Sequence, residues 1–247
     1  AARVGGILAN SNFPAEFITE NIQIQTNIIK HAHISGVEKL IFLGSACVYP
    51  ISDKPIKENM LMKGKLEETN IAYATAKIAG IEMCKSYFKQ YKSSFISVQP
   101  NNLYGEYDNF SKNDSHVIPG LIRKLHQAKK EKLPEVIIWG SGEPLREFLH
   151  ADDCADALLL ILKKYNQIEP INIGSGEEIS INNLAHLIAK IVGFNGKLIF
   201  DRSLLKPHKD IVCIVTVTKR NIIVKLRFLF NLLLLSLIFW LLLIAYI

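Results

Sequence analysis

The fold is indicated by the apolar run Lys39-Leu-Ile-Phe-Leu-Gly-Ser45, with Tyr73-Ala-Thr-Ala-Lys77 further along the chain. The run predicts a buried parallel strand, and a hydroxyl at its carboxyl end would face the ligand crevice of an open α/β sheet. The four-residue gap places the Tyr73 phenol and the Lys77 ammonium on one helix face, about a turn apart. An ammonium there favours the phenolate, so Tyr73 is predicted to exchange protons near neutral pH. Tyr73 would then be a general acid/base for a hydroxyl that is becoming, or was, a carbonyl. Ser45 would donate a hydrogen bond to the same oxygen.

Helices alternate with apolar strands along the rest of the chain, which predicts an α/β fold with a doubly wound parallel sheet. Ser180 is a candidate cap for its helix. The loops at 49–70 and 101–115 have a length that usually indicates function. The predicted helices are 15–35, 73–91, 116–128, 152–164 and 180–192, and the predicted strands are 39–45, 95–99, 135–139 and 171–174.

Five motifs occur in order: Phe42-Leu-Gly-Ser-Ala-Cys-Val-Tyr-Pro50, Tyr73-Ala-Thr-Ala-Lys-Ile-Ala-Gly80, Pro100-Asn-Asn-Leu-Tyr-Gly105, Ser115-His-Val-Ile-Pro119 and Trp139-Gly-Ser-Gly. Together they resemble the extended short-chain dehydrogenase/reductases, or NAD-dependent epimerase/dehydratases, from Ala1 to about Ser203. The resemblance implies a Rossmann-like domain over residues 1–203 with interleaved substrate-binding segments. It also implies NADP(H) as cofactor, a GDP-sugar substrate, a homodimer and a cytoplasmic location.

Cys47 narrows the function that the resemblance implies. If strand geometry continues past Ser45, the side chains at 45 and 47 point the same way, into one pocket. A thiol can act as a base for a carbon acid once a neighbouring cation stabilises the thiolate. The resemblance assigns Cys47 and His116 as the pair that removes and returns protons beside a 4-keto group. It therefore implies 3,5-epimerisation followed by NADPH-dependent 4-reduction. The alternative for Cys47 is a small buried hydrophobe.

Two related activities are the alternatives within the resemblance. Sugar-nucleotide 4,6-dehydratases carry an acidic pair after their Ser or Thr, and 4-epimerases carry no acid/base there, whereas this chain has Ala46-Cys47-Val48. An inactive membrane-tethered relative is a third alternative.

The remaining site residues are also implied by the resemblance. Lys124, Trp139 and Arg146 match substrate contacts, with an aromatic ring beside the ligand and a guanidinium suited to a diphosphate. Lys124 stands where the family usually has Arg, so the charge is kept and the bidentate fork is lost. The positions that match cofactor contacts are Leu43, Gly44, Ser45, Ala46, Lys77, Pro100, Asn101, Asn102, Leu103 and His116.

The Gly-rich strand-turn-helix that binds a dinucleotide pyrophosphate is not found in the sequence. The opening Ala1-Ala-Arg-Val-Gly-Gly6 resembles the family's fourth-strand loop instead, so we do not interpret Gly5-Gly6 as a phosphate loop. We expect roughly 60 further residues upstream, at about 30 per βαβ unit. The strand that distinguishes NAD from NADP would lie there.

Charge and cysteine content exclude some functions. The net charge is +6 over 247 residues, but residues 206–247 hold six Lys or Arg and one acid, so the body is nearly neutral. Nucleic-acid binding by the catalytic region is therefore not expected. The four cysteines show no metal-binding spacing, and Cys84 and Cys154 are predicted to be core residues. No metal is expected. The pattern of cysteines predicts a reducing, cytosolic compartment.

The resemblance ends near Ser203. Leu204-Leu-Lys-Pro-His-Lys-Asp210 only echoes a Lys-Pro-Asp-Gly turn of the family, so Asp210 is given no substrate role. Residues 204–227 read as a basic linker, and the 20 residues 228–247 are apolar enough to predict a transmembrane helix. The preceding basic residues would keep the body cytosolic. The alternative is that a shifted frame or retained intron produced this tail.

Overall fold

The computed structural model describes residues 2–52, 55–112 and 114–204. Within these ranges helices and strands alternate as the sequence predicts. The helices are α1 (Ile7–Asn12), α2 (Pro14–Ile34), α3 (Ile71–Tyr91), α4 (Val117–Lys130), α5 (Ala151–Lys164) and α6 (Ile181–Val192). The strands are β1 (Lys39–Leu43), β2 (Ser94–Pro100), β3 (Asn102–Tyr104), β4 (Glu135–Trp139), β5 (Leu145–His150), β6 (Ile171–Ile173), β7 (Glu178–Ser180) and β8 (Lys197–Asp201).

A parallel sheet of order β1-β2-β6 forms one half of the molecule. Alternate residues of β2 enter different cores because successive side chains of a strand point to opposite faces. Phe95 packs with Ile29 of α2 and Cys84 of α3, whereas Ile96 packs with Ile161 of α5. Helices therefore cover both faces of this sheet, and the predicted doubly wound α/β arrangement is confirmed.

A second core lies between α4 and α6 and the two parallel strands β4 and β8. Leu125 of α4, Leu184 of α6 and Val136 of β4 are among its buried side chains. A third sheet of order β3-β5-β7 adjoins both cores. In β5, Phe148 contributes to the second core and the next residue, Leu149, to the core against α5. Strand β5 therefore joins the two halves.

Most predicted element boundaries lie within two residues of those observed. Ser180 caps α6 as predicted, since its hydroxyl accepts a hydrogen bond from the Asn183 amide at 3.1 Å. Strand β1 is shorter than predicted and ends at Leu43. Helix α1 and the strands β3, β5, β7 and β8 were not predicted. Cys84 and Cys154 are buried in helices, as expected.

Two predictions concern the C-terminal tail. Within the described ranges no helix is both long and apolar enough to cross a membrane. Residues 205–247 lie outside those ranges, and they include the predicted transmembrane helix 228–247, Asp210 and nearly all of the predicted linker 204–227.

Candidate active site

Ser45 and Cys47 lie in a tight turn and not in an extended strand. Residues Ala46–Val48 form one turn of 3-10 helix, and Ser45 is its N-cap, with Oγ accepting a hydrogen bond from the Cys47 amide at 3.3 Å. The prediction that strand geometry continues past Ser45 is therefore wrong. The two side chains nevertheless meet, because the cap brings the hydroxyl of Ser45 to the thiol of Cys47.

Tyr73 and Lys77 lie one turn apart near the start of α3. The Ser45 hydroxyl lies near both Tyr73 and Cys47 and lowers the pKa of each, so one hydroxyl stands beside the phenol and the thiol. Burial raises the pKa of Tyr73, and the proximity of Cys47 raises it further. The expected lowering of the Tyr73 pKa is therefore not found in this structure.

The position of Lys77 explains why its charge does not lower the pKa of Tyr73. Its Nζ donates a hydrogen bond to the Leu43 carbonyl at 2.8 Å and lies 5.0 Å from the centre of the Phe42 ring. The same nitrogen is 5.7 Å from the centre of the Tyr73 ring. The side chain is 5 % exposed, and this burial lowers the pKa of Lys77 to about 8. Close to neutral pH the ammonium still predominates, but it is lost at a lower pH than in an exposed lysine.

The charged neighbour of Cys47 is a carboxylate and not the cation that would stabilise a thiolate. Burial raises the pKa of the Cys47 thiol, the Ser45 hydroxyl lowers it, and the Glu67 carboxylate raises it again. Glu67 precedes α3 and is held by a bond from the Asn70 amide to its Oε2 at 3.1 Å. The Cys47 side chain is partly accessible. Because its pKa is raised, Cys47 stands in the site as a thiol at neutral pH.

His116 lies apart from this group, at the N-cap of α4. Its side chain is 49 % exposed, and its Nδ1 is 4.0 Å from Oδ1 of Asp108. In the part of the chain that the structure describes, no hydrogen bond or ion pair joins His116 to Cys47. The structure therefore brings together Ser45, Cys47, Tyr73 and Lys77, with His116 on a separate loop.

The N-terminal segment runs close to both groups, a contact that the sequence does not predict. A Cβ on Gly6 would lie 3.0 Å from the Ser115 carbonyl oxygen, and a Cβ on Gly5 would lie 3.2 Å from the Phe17 ring. Phe17 contacts Tyr73 edge-on, with the ring centres 6.3 Å apart. The two glycines thus allow the backbone to pass between the His116 loop and the surroundings of Tyr73.

Eight of the ten predicted cofactor positions lie where β1 and β2 end, and the other two are Lys77 on α3 and His116 before α4. Leu43 is 41 % exposed, and Gly44 has no room for a side chain because a Cβ would lie 2.7 Å from the amide nitrogen of Gln99. Asn101 is buried and accepts a bond from the Asn102 amide at 2.9 Å, while its own Nδ2 has no hydrogen-bond partner within the described ranges. Ala46 and Pro100 are buried, whereas Asn102 and Leu103 are exposed.

Two of the three predicted substrate residues are in contact. Nζ of Lys124, on α4, lies 5.7 Å from the centre of the Trp139 ring, at the end of β4. Burial and the neighbouring Arg123 lower the pKa of Lys124. The Trp139 side chain is 47 % exposed, so one face remains open to a ligand. Arg146 lies on β5 and donates a hydrogen bond to the Leu145 carbonyl at 2.8 Å.

A parallel sheet with helices on both faces, and Ser, Tyr and Lys gathered at its carboxyl edge, defines a Rossmann-like α/β protein with a nucleotide crevice. The model of the NAD dependent epimerase/dehydratase family matches residues 1–174. The chain belongs to this family.

Similar proteins include "GDP-L-fucose synthase" of Sinorhizobium fredii, 55 % identical over 204 residues, which are 82 % of this chain and 65 % of that protein. The Escherichia coli protein of the same name is 48 % identical over 82 % of this chain and 66 % of its own length. The chain thus spans about 65 % of the length of the S. fredii protein.

Solved structures are similar as well. A GDP-6-OMe-4-keto-L-xylo-heptose reductase from Campylobacter jejuni has a TM-score of 0.81 at 35 % identity, covering 89 % of this chain and 74 % of that chain. A GDP-L-fucose synthetase from Naegleria fowleri, bound to NADP, has a TM-score of 0.76 at 35 % identity, covering 86 % of this chain and 66 % of that chain.

Proposed function

We propose that this protein makes GDP-L-fucose from GDP-4-keto-6-deoxy-D-mannose, by 3,5-epimerisation and then NADPH-dependent reduction at C4. The observation that carries the proposal is the single hydroxyl of Ser45, which interacts with both the Cys47 thiol and the Tyr73 phenol. Proton exchange at carbon and proton delivery to oxygen can then occur beside one 4-keto group. The names of the similar proteins support the same reaction.

In the epimerisation, Cys47 and His116 exchange protons with C3 and C5. The 4-keto group acidifies these carbons, since the electron pair left by a departing proton moves onto the carbonyl oxygen. Ser45 and Tyr73 would donate hydrogen bonds to that oxygen and stabilise the enolate. The raised pKa of Cys47 means that a thiolate forms only during the cycle and is not the resting state.

In the reduction, Tyr73 gives its phenolic proton to the C4 oxygen. The raised pKa of Tyr73 keeps this proton in place at neutral pH, which suits a general acid. Lys77 supplies a positive charge one turn away for the phenolate that remains. The group that NADPH would supply is the hydride to C4.

The residues at the strand ends fit a nicotinamide nucleotide. An exposed Leu43 offers an apolar surface, and the buried Nδ2 of Asn101 is a donor without a partner within the described ranges. Hydroxyl, amide and ammonium groups are suited to ribose oxygens and a carboxamide. We assign Leu43, Gly44, Ser45, Ala46, Lys77, Pro100, Asn101, Asn102, Leu103 and His116 to this cofactor, as the sequence indicates.

The GDP-sugar would be bound by the second half of the molecule. The open face of Trp139, backed by Lys124, suits the ring of a nucleotide or sugar, and the Arg146 guanidinium suits the diphosphate. The predicted homodimer, cytoplasmic location and membrane contact of residues 228–247 stay predictions. Light scattering and membrane fractionation of the full-length protein would test them.

The function is tested with the full-length protein, the keto sugar nucleotide and NADPH, with GDP-L-fucose as the measured product. Tyr73→Phe removes the proton donor, so we expect the reduction to slow by 10²–10⁴-fold, as is usual for a general acid. Solvent deuterium uptake at C3 and C5 should persist at a reduced rate, because Ser45 still donates a hydrogen bond to the enolate oxygen after the phenol is removed. Reduction at the wild-type rate in Tyr73→Phe would refute the role of the phenol.

Cys47→Ser provides the complementary test. A serine hydroxyl is a far weaker acid than a thiol, so we expect deuterium uptake at C3 and C5 to be lost while NADPH affinity changes little. Cys154→Ser is the matched control, since Cys154 is buried in α5 away from the site. Equal deuterium uptake by wild type and Cys47→Ser would mean that Cys47 serves only in packing.

A further inference from the structure

We propose that Asp108 is a positioning residue for His116 during proton exchange at carbon. The inference rests on the proposed function and deepens it. Oδ1 of Asp108 faces Nδ1 of His116 at 4.0 Å, and among the described residues this is the only ion pair that His116 makes. Asp108 lies between the motifs at 100–105 and 115–119 and belongs to neither.

The surroundings of Asp108 favour such a pairing. Its side chain is 17 % exposed, compared with 49 % for His116, so the carboxylate is the inner and the imidazole the outer member. Asp108 lines a shallow apolar depression together with Phe110, Ile118 and Pro119. A largely buried carboxylate in an apolar setting is stabilised by a hydrogen bond and a nearby cation. The Asn109 amide supplies the first at 2.7 Å, and His116 supplies the second when it holds the proton taken from the substrate.

Hydrogen bonds within the described part of the loop order the chain between the two residues. The Asn109 side chain accepts a bond from the Ser111 amide at 2.9 Å, and the Ser111 hydroxyl accepts one from the Asp114 amide at 3.2 Å. His116 is the N-cap residue of α4, and its carbonyl accepts a hydrogen bond from the Gly120 amide at 2.9 Å. Asp108 and His116 therefore flank a loop whose described residues form hydrogen bonds with one another.

This geometry determines which imidazole nitrogen reacts. A carboxylate facing Nδ1 favours the tautomer that carries hydrogen there, which leaves Nε2 to accept and return the substrate proton. The separation of 4.0 Å is an ion-pair distance and longer than a hydrogen bond, so the effect is electrostatic and modest. We expect its removal to slow exchange by roughly threefold to tenfold, as for a partly exposed charge pair.

The test is Asp108→Asn in the full-length protein, because the amide oxygen can still accept the bond from Asn109 while the charge is removed. Deuterium uptake at C3 and C5 is measured at saturating keto sugar nucleotide, together with KM and the melting temperature. The matched control is Asp114→Asn, an exposed carboxylate two residues from His116 that removes the same charge. We expect slower exchange at unchanged KM and melting temperature in Asp108→Asn only, and partial rescue by Asp108→Glu.

A double substitution separates positioning from a structural role. If Asp108 acts through His116, adding Asp108→Asn to His116→Gln should cause no further loss of exchange. An additional loss of the same size in that background would overturn the inference. So would wild-type exchange in Asp108→Asn alone, with the proposed function left intact. Wild-type protein that takes up no deuterium would instead overturn the proposed function, and this inference with it.

Discussion

At the scale of single residues, Lys77 shows how burial can outweigh proximity. The Tyr73–Lys77 spacing by itself indicates a phenol acidified by an ammonium. In the folded chain both groups are shielded from water, which disfavours the charged form of each: the pKa of Tyr73 rises and that of Lys77 falls to about 8. Burial is thus the larger effect on both.

A pH-dependent stability follows from the lowered pKa of Lys77. Between about pH 8 and its ordinary value of 10.5, the folded protein binds fewer protons than the unfolded chain, so Lys77 adds stability as pH rises through this interval. The contribution is present above the ordinary value and is lost as pH falls to about 8. It amounts to at most about 3 kcal/mol for such a shift.

Urea unfolding of wild type and Lys77→Met at the two ends of this interval measures the effect. We expect the free energy of unfolding of the wild type, relative to that of Lys77→Met, to increase by roughly 2–3 kcal/mol from the lower to the higher pH. Lys89→Met, an exposed lysine on the same helix, controls for the loss of one positive charge. A difference between wild type and Lys77→Met that is independent of pH would contradict burial as the cause.

At the scale of elements, the site depends on how closely α3 approaches β1. Gly80 sits in the interior of α3, and a Cβ there would lie within 3 Å of three ring carbons of Phe42. The same ring lies against the Lys77 ammonium, so it has little freedom to move away. The glycine is therefore needed for close packing that sets the height of Tyr73 and Lys77 above the strand ends.

Gly80→Ala should accordingly destabilise the protein by about 1–3 kcal/mol, despite the better helix propensity of alanine. The second mutation Phe42→Leu should recover part of the loss by making room. Gly120→Ala, in the interior of α4, meets only the movable Ser115 hydroxyl and should be neutral or stabilising by up to about 1 kcal/mol. Thermal unfolding of the variants gives the comparison, and a Gly80→Ala variant as stable as Gly120→Ala would contradict the packing argument.

At the scale of the whole molecule, the proposed catalytic residues and the proposed substrate-binding residues lie beside different cores. The parallel sheet presents Ser45, Tyr73 and Lys77, whereas α4 and β4 of the second core present Lys124 and Trp139. Strand β5 contributes to both cores. Lys124 and Trp139 lie on elements of the second core, so a substitution of the partly exposed Trp139 should leave the cofactor side folded even though β5 contributes to both cores.

Trp139→Ala tests this division. Since Trp139 is 47 % exposed, its loss should change stability by less than about 1 kcal/mol, while KM for the GDP-sugar rises about tenfold through the lost aromatic contact. NADPH affinity should stay unchanged. Ile137→Ala, exposed on the same face of β4, is the control and should alter neither constant. A parallel fall in NADPH affinity would show that the two halves are coupled.

The sequence determined the features that depend on neighbours along the chain. Alternating helices and strands, the Ser180 cap and the shared face of Tyr73 and Lys77 follow from periodicity and local hydrogen bonding, and the structure confirms them. The described structure alone decided that residues 46–48 form a 3-10 turn, that Asp108 faces His116, and that both Tyr73 and Cys47 hold their protons. These features depend on burial and on contacts between distant segments, and no local pattern encodes how much water a folded chain removes from a side chain.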